Sequence, residues 1–251
     1  MDHLISIIVP TYNSEKYIGE TLNSLLNQTY TNFEAVIVDD CSSDDTINII
    51  QETIGEDRRF KLIQNKVNSG AAISRNRAID NTSGDYIAFL DADDIWNCNK
   101  LRSQIEFMSN NGFLFSFTAY ELIDAESRPL GTTVDLNNQS KVSYRDMLEK
   151  RATLGCSTVM LRRDVFRHLR MPNIRTGQDY ATWLQALKDI NYAHCLNQVL
   201  TQYRITPGSI SRNKLKKAKR QWHIYRKIEN IPLLQSCYYF CHYSFRAVFR
   251  K

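Results

Sequence analysis

The chain has 251 residues, of which 43% are hydrophobic and 24% charged, and a formal net charge of +5. That balance excludes a disordered or low-complexity chain and supports a full core in one domain with an appendage, or in two. The six cysteines form no C-x-x-C pair and have no zinc-finger spacing, so reduced, mostly structural thiols are expected in place of disulfides or zinc. The opening "MDHLISIIVP", with a short apolar run and the acid Asp2, reads as neither a signal peptide nor a membrane span, which predicts a cytoplasmic product.

The charge is unevenly spread. Residues 211–251 carry eleven Lys or Arg against the single acid Glu229, a balance of +10, which leaves −5 on the first 210 residues. A basic tail on an acidic body calls for an anionic partner: a membrane surface, a nucleic acid or a phosphorylated ligand. Nucleic acid is the weakest of the three, because the positive charge is confined to the end and no nucleic-acid motif accompanies it.

In chain order, "LISIIVP" reads as a buried strand and "SEKYIGETLNSLLNQ" as a helix with Tyr17, Ile18, Leu22, Leu25 and Leu26 at helical spacing. "FEAVIVDD" is the second strand and "DDTINIIQETI" the second helix, capped by Ser43 or Asp44. "FKLIQN" and "SRNRAIDNT" form a third pair, and "DYIAFLDADD" is the fourth strand. Four strands alternating with helices imply parallel β-α-β units. Beyond residue 97 the pattern loosens: a helix at "KLRSQIEFMSNN", a strand at "FLFSFTAY", a polar stretch from Ile123 to Ser140 read as loop, a strand entering a short helix at "STVMLRRDVF", a helix at "QDYATWLQALKD" and a strand at "HCLNQVLTQYRI". The last forty residues read as two basic helices broken near Pro232.

Parallel strands share a C-terminal edge, so the residues that follow them meet at one crevice. Pro10, Thr11, Tyr12 and Asn13 follow the first strand, Asp39 and Asp40 the second, and Asp91, Asp93 and Asp94 the fourth. An aromatic ring, an acceptor carboxylate and an acid pair suit a nucleotide: the ring stacks on the base, the carboxylate accepts an imide N–H, and a cation on the acids bridges two phosphates. In an extended chain Asp91 and Asp93 share a side, and Asp94 is free to cap the next element. No G-x-G-x-x-G follows the first strand and no G-x-x-x-x-G-K-[ST] occurs, which disfavours dinucleotide oxidoreductases and P-loop enzymes.

"SIIVPTYN", "VIVDDCSSDDT", "NSGAAISRNRAI", "GDYIAFLDADD" and "GQDYATWL" stand in the order and spacing of family 2 inverting glycosyltransferases, and the chain resembles that family over about residues 4–210. The resemblance implies a GT-A, Rossmann-like α/β fold: a mostly parallel central sheet flanked by helices, here with a C-terminal helical extension. It implies a catalytic domain over 1–210, with a nucleotide-binding half at 1–97 and an acceptor-binding half at 98–210, followed by the basic amphipathic segment 211–251. By position, Thr11 and Tyr12 line the base and ribose pocket together with their neighbours Pro10 and Asn13, Asp40 contacts uracil, and Arg75 lies near the nucleotide. Asp91, Ala92 and Asp93 form the D-x-D motif, with Asp93 the direct ligand of manganese or magnesium, and Asp179 is the catalytic base. Two departures stand out: Cys41 occupies a usual Gly position, and Gln178 precedes the base where Glu is typical.

The implied reaction moves a hexose or N-acetylhexosamine from a UDP-sugar to a lipid-diphosphate-linked acceptor in the synthesis of O-antigen or another surface polysaccharide. The loop "YRITPGSISRNK" reads as a lid, with Arg204 reaching phosphate oxygens, or as a solvated connection. The apolar and basic C-terminal segment is expected on an anionic membrane surface, which places the enzyme on the inner face of the inner membrane. The rivals are a metal-dependent nucleotidyltransferase, disfavoured by the lack of a Gly-rich basic loop, and a noncatalytic membrane-surface binding protein.

Overall fold

The computed structural model describes residues 3–137, 139–164, 168, 170–206 and 214–249, with side chains omitted at 214, 215 and 247–249. Its first half alternates as expected: β1 Ile5–Thr11, α1 Ile18–Leu26, β2 Phe33–Asp39, α2 Thr46–Ile54, β3 Phe60–Gln64, α3 Ala71–Asp80 and β4 Tyr86–Phe89. These strands lie in the order β3-β2-β1-β4, and every pairing among them is parallel. Thr11 therefore pairs with Asp39, and Ile8 with Phe89, so the C-terminal ends of β1, β2 and β4 open on one edge.

The second half adds β5 Ile95–Trp96, α4 Lys100–Asn111, β6 Phe115–Ile123, β7 Pro129–Val134, β8 Lys141–Val142, α5 Tyr144–Leu148, β9 Met160–Arg162, α6 Gln178–Asp189 and β10 Ala193–Arg204. β9 joins the sheet antiparallel to β4 and β6, whereas β10 runs parallel to β6. Beyond β10 come α7 Lys214–His223, a π-helical turn at Ile224–Ile228, and α8 Leu233–Phe249, with Pro232 at the break.

Alternation along β1 feeds two cores. Ile5, Ile7 and Val9 join Ile18, Leu22 and Leu25 of α1 and Leu101, Ile105 and Met108 of α4 on one face. Ile8 joins α3, α6 and the fully buried Trp183 on the other. Each such side chain contributes about 1.5–3 kcal/mol on leaving water. Ile224, Tyr225 and Ile231 belong to this second core, so the start of the C-terminal segment is part of the body.

The structure corrects three local expectations. The stretch read as loop contains β7, which pairs antiparallel with β6 but is exposed along nearly all its length and so carries no apolar period. Asp94 caps no helix: β5 follows it, and α4 begins at Lys100. The N-cap position of α2 is Asp45, without a capping bond of its own, and Asp44 supplies the acceptor for the Thr46 N–H at 3.1 Å.

Candidate active site

The edge where β1, β2 and β4 end holds a cleft lined by Pro10, Thr11, Tyr12, Asp40, Arg75, Asp91 and Asp93, with Ala71 and Ser74 of α3 beside them. Tyr12 is 50% exposed, leaving its ring open for stacking. Thr11 is buried, and its hydroxyl has no hydrogen-bond partner among the described residues. An orphaned buried hydroxyl in a cleft wall is a mark of a ligand site.

Asp40 is 3% exposed and already engaged. Its Oδ1 accepts from Asn65 Nδ2 at 2.6 Å and the Ser69 N–H at 2.9 Å, and its Oδ2 accepts from the Gly70 N–H at 2.7 Å. Burial by itself opposes the charge, yet these donors hold the carboxyl below its usual range. The Ser74 side chain is a fourth hydrogen-bond partner of the same carboxylate. Gly70 has φ +90°, which a side chain rarely adopts, so the residue that donates to Asp40 is required to be glycine by its backbone. Cys41, in the family's Gly position, also lies in the left-handed region at φ +67°.

The acids after β4 lie in a turn closed by the Asp94 N–H on the Asp91 carbonyl at 3.1 Å, and not on an extended strand. Asp91 pairs with Arg75 at 2.5 Å. Burial, then the Asp91 charge, pushes the Asp93 carboxyl up to about 6, and its only hydrogen bond among the described residues comes from its own backbone. Asp94 turns away from the cleft and is 1% exposed; burial, then the charges of Asp93 and Asp91, drives its carboxyl well above the usual range.

Arg75 joins this turn to α6. Its Nη1 donates to Gln178 Oε1 at 2.9 Å and its Nη2 to Asp91, while the buried Nε has no partner among the described residues. Burial works against the guanidinium charge, but Asp91 and, more weakly, Asp179 offset it. Gln178 thus gives Arg75 a neutral acceptor where a Glu would give a second carboxylate. Asp179 sits in the first turn of α6, half-buried, and no side-chain hydrogen bond to it occurs among the described residues. The N-cap of α6 is Gly177, so Asp179 is not spent on capping. Trp183, one turn along the same face, packs edge-on against Phe89 at 5.4 Å and fixes α6 against β4.

Three expected ligand residues lie elsewhere. Arg204 is 2% exposed, and its guanidinium donates to the Asp93 carbonyl at 2.8 Å, Ser127 Oγ at 2.8 Å and Glu20 Oε2 at 2.7 Å, so it has no freedom to reach phosphate. Asn13 is exposed and ties the loop after β1 to the loop after β2, through Ser42 Oγ at 2.9 Å and the Ser43 N–H at 2.9 Å. Ala92 offers only its carbonyl, to Thr21 Oγ1 at 3.0 Å. Most of the proposed lid, from 207 to 213, lies outside the described residues. The residues that sequence reading missed are Asn65, Ser69 and Gly70 around Asp40, and Ser157, which touches the acid turn. The motif "NSG" carried a turn signal for the first group; nothing local marked Ser157.

No cluster of three or more His, Cys, Asp or Glu suited to a metal occurs among the described residues. The acid turn instead presents two carboxylates to the cleft, Asp91 and Asp93, of which Asp93 has no side-chain hydrogen bond among the described residues. That donor set fits Mg²⁺ or Mn²⁺, which bind through one or two carboxylates together with substrate phosphates.

The profile described as glycosyl transferase family 2 matches residues 6–170. TuaG of Bacillus subtilis (strain 168), whose name assigns it to teichuronic acid biosynthesis, is 41% identical over 99% of this chain and 97% of its own. The Escherichia coli protein WfgD, named UDP-Glc:alpha-D-GlcNAc-diphosphoundecaprenol beta-1,3-glucosyltransferase, is 40% identical over 96% of this chain and 92% of its own. Among solved structures, S. aureus TarS 1-349 with UDP-GlcNAc superposes with a TM-score of 0.71 at 25% identity, over 89% of this chain and 66% of that one. By profile, by relatives along its whole length and by GT-A architecture, this chain belongs to glycosyl transferase family 2.

Proposed function

We propose that the protein transfers a hexose or N-acetylhexosamine from a UDP-sugar, with inversion, to a saccharide carried on a lipid diphosphate, undecaprenyl diphosphate by likeness to WfgD, in building a bacterial surface polysaccharide. The observation that carries this reading is the convergence of Tyr12, Asp40, Asp91 and Asp93 in one cleft, with Asp179 joined to it through Arg75. The half of the chain up to 97 handles the donor and the half from 98 to 210 the acceptor.

Tyr12 stacks on the uracil while Asp40 accepts its imide N–H, and the Thr11 hydroxyl finds its missing partner on base or ribose. Asp91 and Asp93 would hold Mn²⁺ or Mg²⁺, which when bound would supply Lewis-acid stabilisation of the leaving diphosphate. The unpaired Nε of Arg75 adds a donor from the protein side. Asp179 takes the proton of the acceptor hydroxyl as its oxygen attacks the sugar from the face opposite the departing UDP, a role worth about 10²–10⁴ in rate.

A lipid-linked acceptor brings the enzyme to the cytoplasmic face of the inner membrane, and the C-terminal segment is suited to hold it there. No helix among the described residues is long and apolar enough to cross a membrane. On α8, Leu234, Cys237, Cys241 and Phe245 recur at three- and four-residue spacing and all face solvent, Leu234 at 85% exposure. Exposed Lys216 and Lys219 of α7 add positive charge. This arrangement suits an amphipathic helix lying in an anionic interface.

Two variants test the chemistry. Asp179→Asn is expected to bind UDP-sugar like the wild type and to lose at least about 10²-fold in kcat, whereas Asp40→Ala loses mainly donor affinity. Wild-type turnover by Asp179→Asn would move the base elsewhere. Asp164 is a poor substitute, because it pairs with Arg162 at 2.7 Å in a separate hollow beside Tyr86, at the opposite end of β4.

A further inference from the structure

The third acid of the turn, Asp94, does not face the cleft, and its partners come from distant parts of the chain. Ser157, in the 3₁₀ turn Cys156–Thr158, donates from Oγ to Asp94 Oδ2 at 2.5 Å and accepts the Asp91 N–H on the same Oγ at 3.1 Å. Asp94 Oδ1 accepts the Arg204 backbone N–H at 3.1 Å, and Arg204 Nε returns a bond to the Asp93 carbonyl at 2.8 Å. All three residues are at most 2% exposed. The Ser157 carbonyl is itself anchored by Trp96 Nε1 at 2.8 Å and Thr201 Oγ1 at 3.2 Å. The main chain of both cleft acids is therefore gripped: Asp91 at its N–H by Ser157, and Asp93 at its carbonyl by Arg204.

Placing a third carboxylate wholly inside, next to two others, is electrostatically adverse. Packing alone does not call for an acid there, since an apolar residue would fill the same space without the charge repulsion. What an acid adds is two strong acceptors in fixed directions, one for Ser157 of the 3₁₀ turn and one for the end of β10. The Arg204 guanidinium completes the grip by spanning from Asp93 to Glu20 of α1 and lying over the Tyr17 ring at 4.6 Å.

We propose that Asp94, Ser157 and Arg204 form a positioning cluster that fixes the backbone of the Asp91–Asp93 turn so that both carboxylates remain aimed at the cation and diphosphate. None of the three touches the substrate; each acts through the turn. The proposal rests on the reading of Asp91 and Asp93 as cation ligands. Outer groups that orient metal ligands typically change affinity or activity by about 10–100-fold when removed.

The test compares the wild type with Ser157→Ala, which removes both bonds at Oγ, and Asp94→Asn, which keeps the shape and the acceptor for Arg204 but presents a donor to Ser157. Calorimetric titration with Mn²⁺ in the presence of UDP should show affinity weakened by about 10–100-fold in both. UDP affinity in EDTA and the acceptor KM should stay at wild-type values while kcat falls. If Ser157→Ala fails to fold, the near-isosteric Asp94→Asn decides. Wild-type Mn²⁺ affinity in the folded variants, whatever their Tm, would overturn the cluster alone. A wild-type protein that binds no Mn²⁺ with UDP present would overturn the cation reading and the cluster with it.

Discussion

At the residue scale, the proposed role of Asp93 as a cation ligand sets binding against stability. Its carboxyl titrates at about 6 in the fold, above the ordinary carboxylate value, because burial and Asp91 oppose its charge. Between those two pH values the folded form binds more protons than the unfolded chain, so this group's contribution to stability falls as pH rises through that window. At pH 7.5, Asp93→Asn is therefore expected to raise unfolding stability by about 1–3 kcal/mol while abolishing cation-dependent binding of UDP-sugar. The same titration predicts that wild-type Mn²⁺ affinity weakens as pH is lowered through about 6, as the ligand becomes protonated. Denaturant melts and a calorimetric pH series check both; a destabilised Asp93→Asn that still requires the cation would contradict the assignment.

At the element scale, the regular part of the fold was legible because its signals are local. β1, β2 and β4 are continuous apolar runs buried on both faces, and α4 and α6 have the bounds that their apolar spacing implied. β7 was not legible, since a strand exposed on both faces has no period to read. The role of Arg204 was misread for a different reason. Its sequence neighbours, a Gly, Pro and Ser loop, suggested a lid, but its partners lie in α1, the acid turn and the loop before β7, up to 184 residues away. Asp40 and Asp93 stand out in the sequence by their place after strands, whereas the donors that keep Asp40 charged come from other segments. The C-terminal helices show both sides of one expectation: Tyr243 and Ser236 of α8 pack inward, while Leu234 and Phe245 face out. Truncation after Ile231 removes α8 and keeps Ile224, Tyr225 and Ile231 in the core. It is expected to abolish co-flotation with anionic liposomes and to spare donor hydrolysis, and high salt should weaken flotation of the full chain. A full-length protein that never floats would leave the outer face of α8 without a membrane role.

At the scale of the whole molecule, the sheet places all the chemistry on one edge. Parallel β1, β2 and β4 deliver Tyr12, Asp40 and the acid turn to adjacent positions. The antiparallel β9 follows directly from the turn carrying Ser157, and α6 meets Arg75 through Gln178, the neighbour of Asp179. The C-terminal segment packs part of itself into the same core and leaves one face of α8 outward, the face proposed to meet the membrane that carries the acceptor. The most direct test of this account is the mass of the product formed from a UDP-hexose or UDP-N-acetylhexosamine and a synthetic N-acetylhexosamine on a polyprenyl diphosphate, with Mn²⁺ present. The account predicts an acceptor heavier by one sugar residue and one UDP released per transfer, both lost in EDTA and in Asp179→Asn. An unmodified acceptor across the full panel of UDP-sugars, or unchanged transfer by Asp179→Asn, would contradict it.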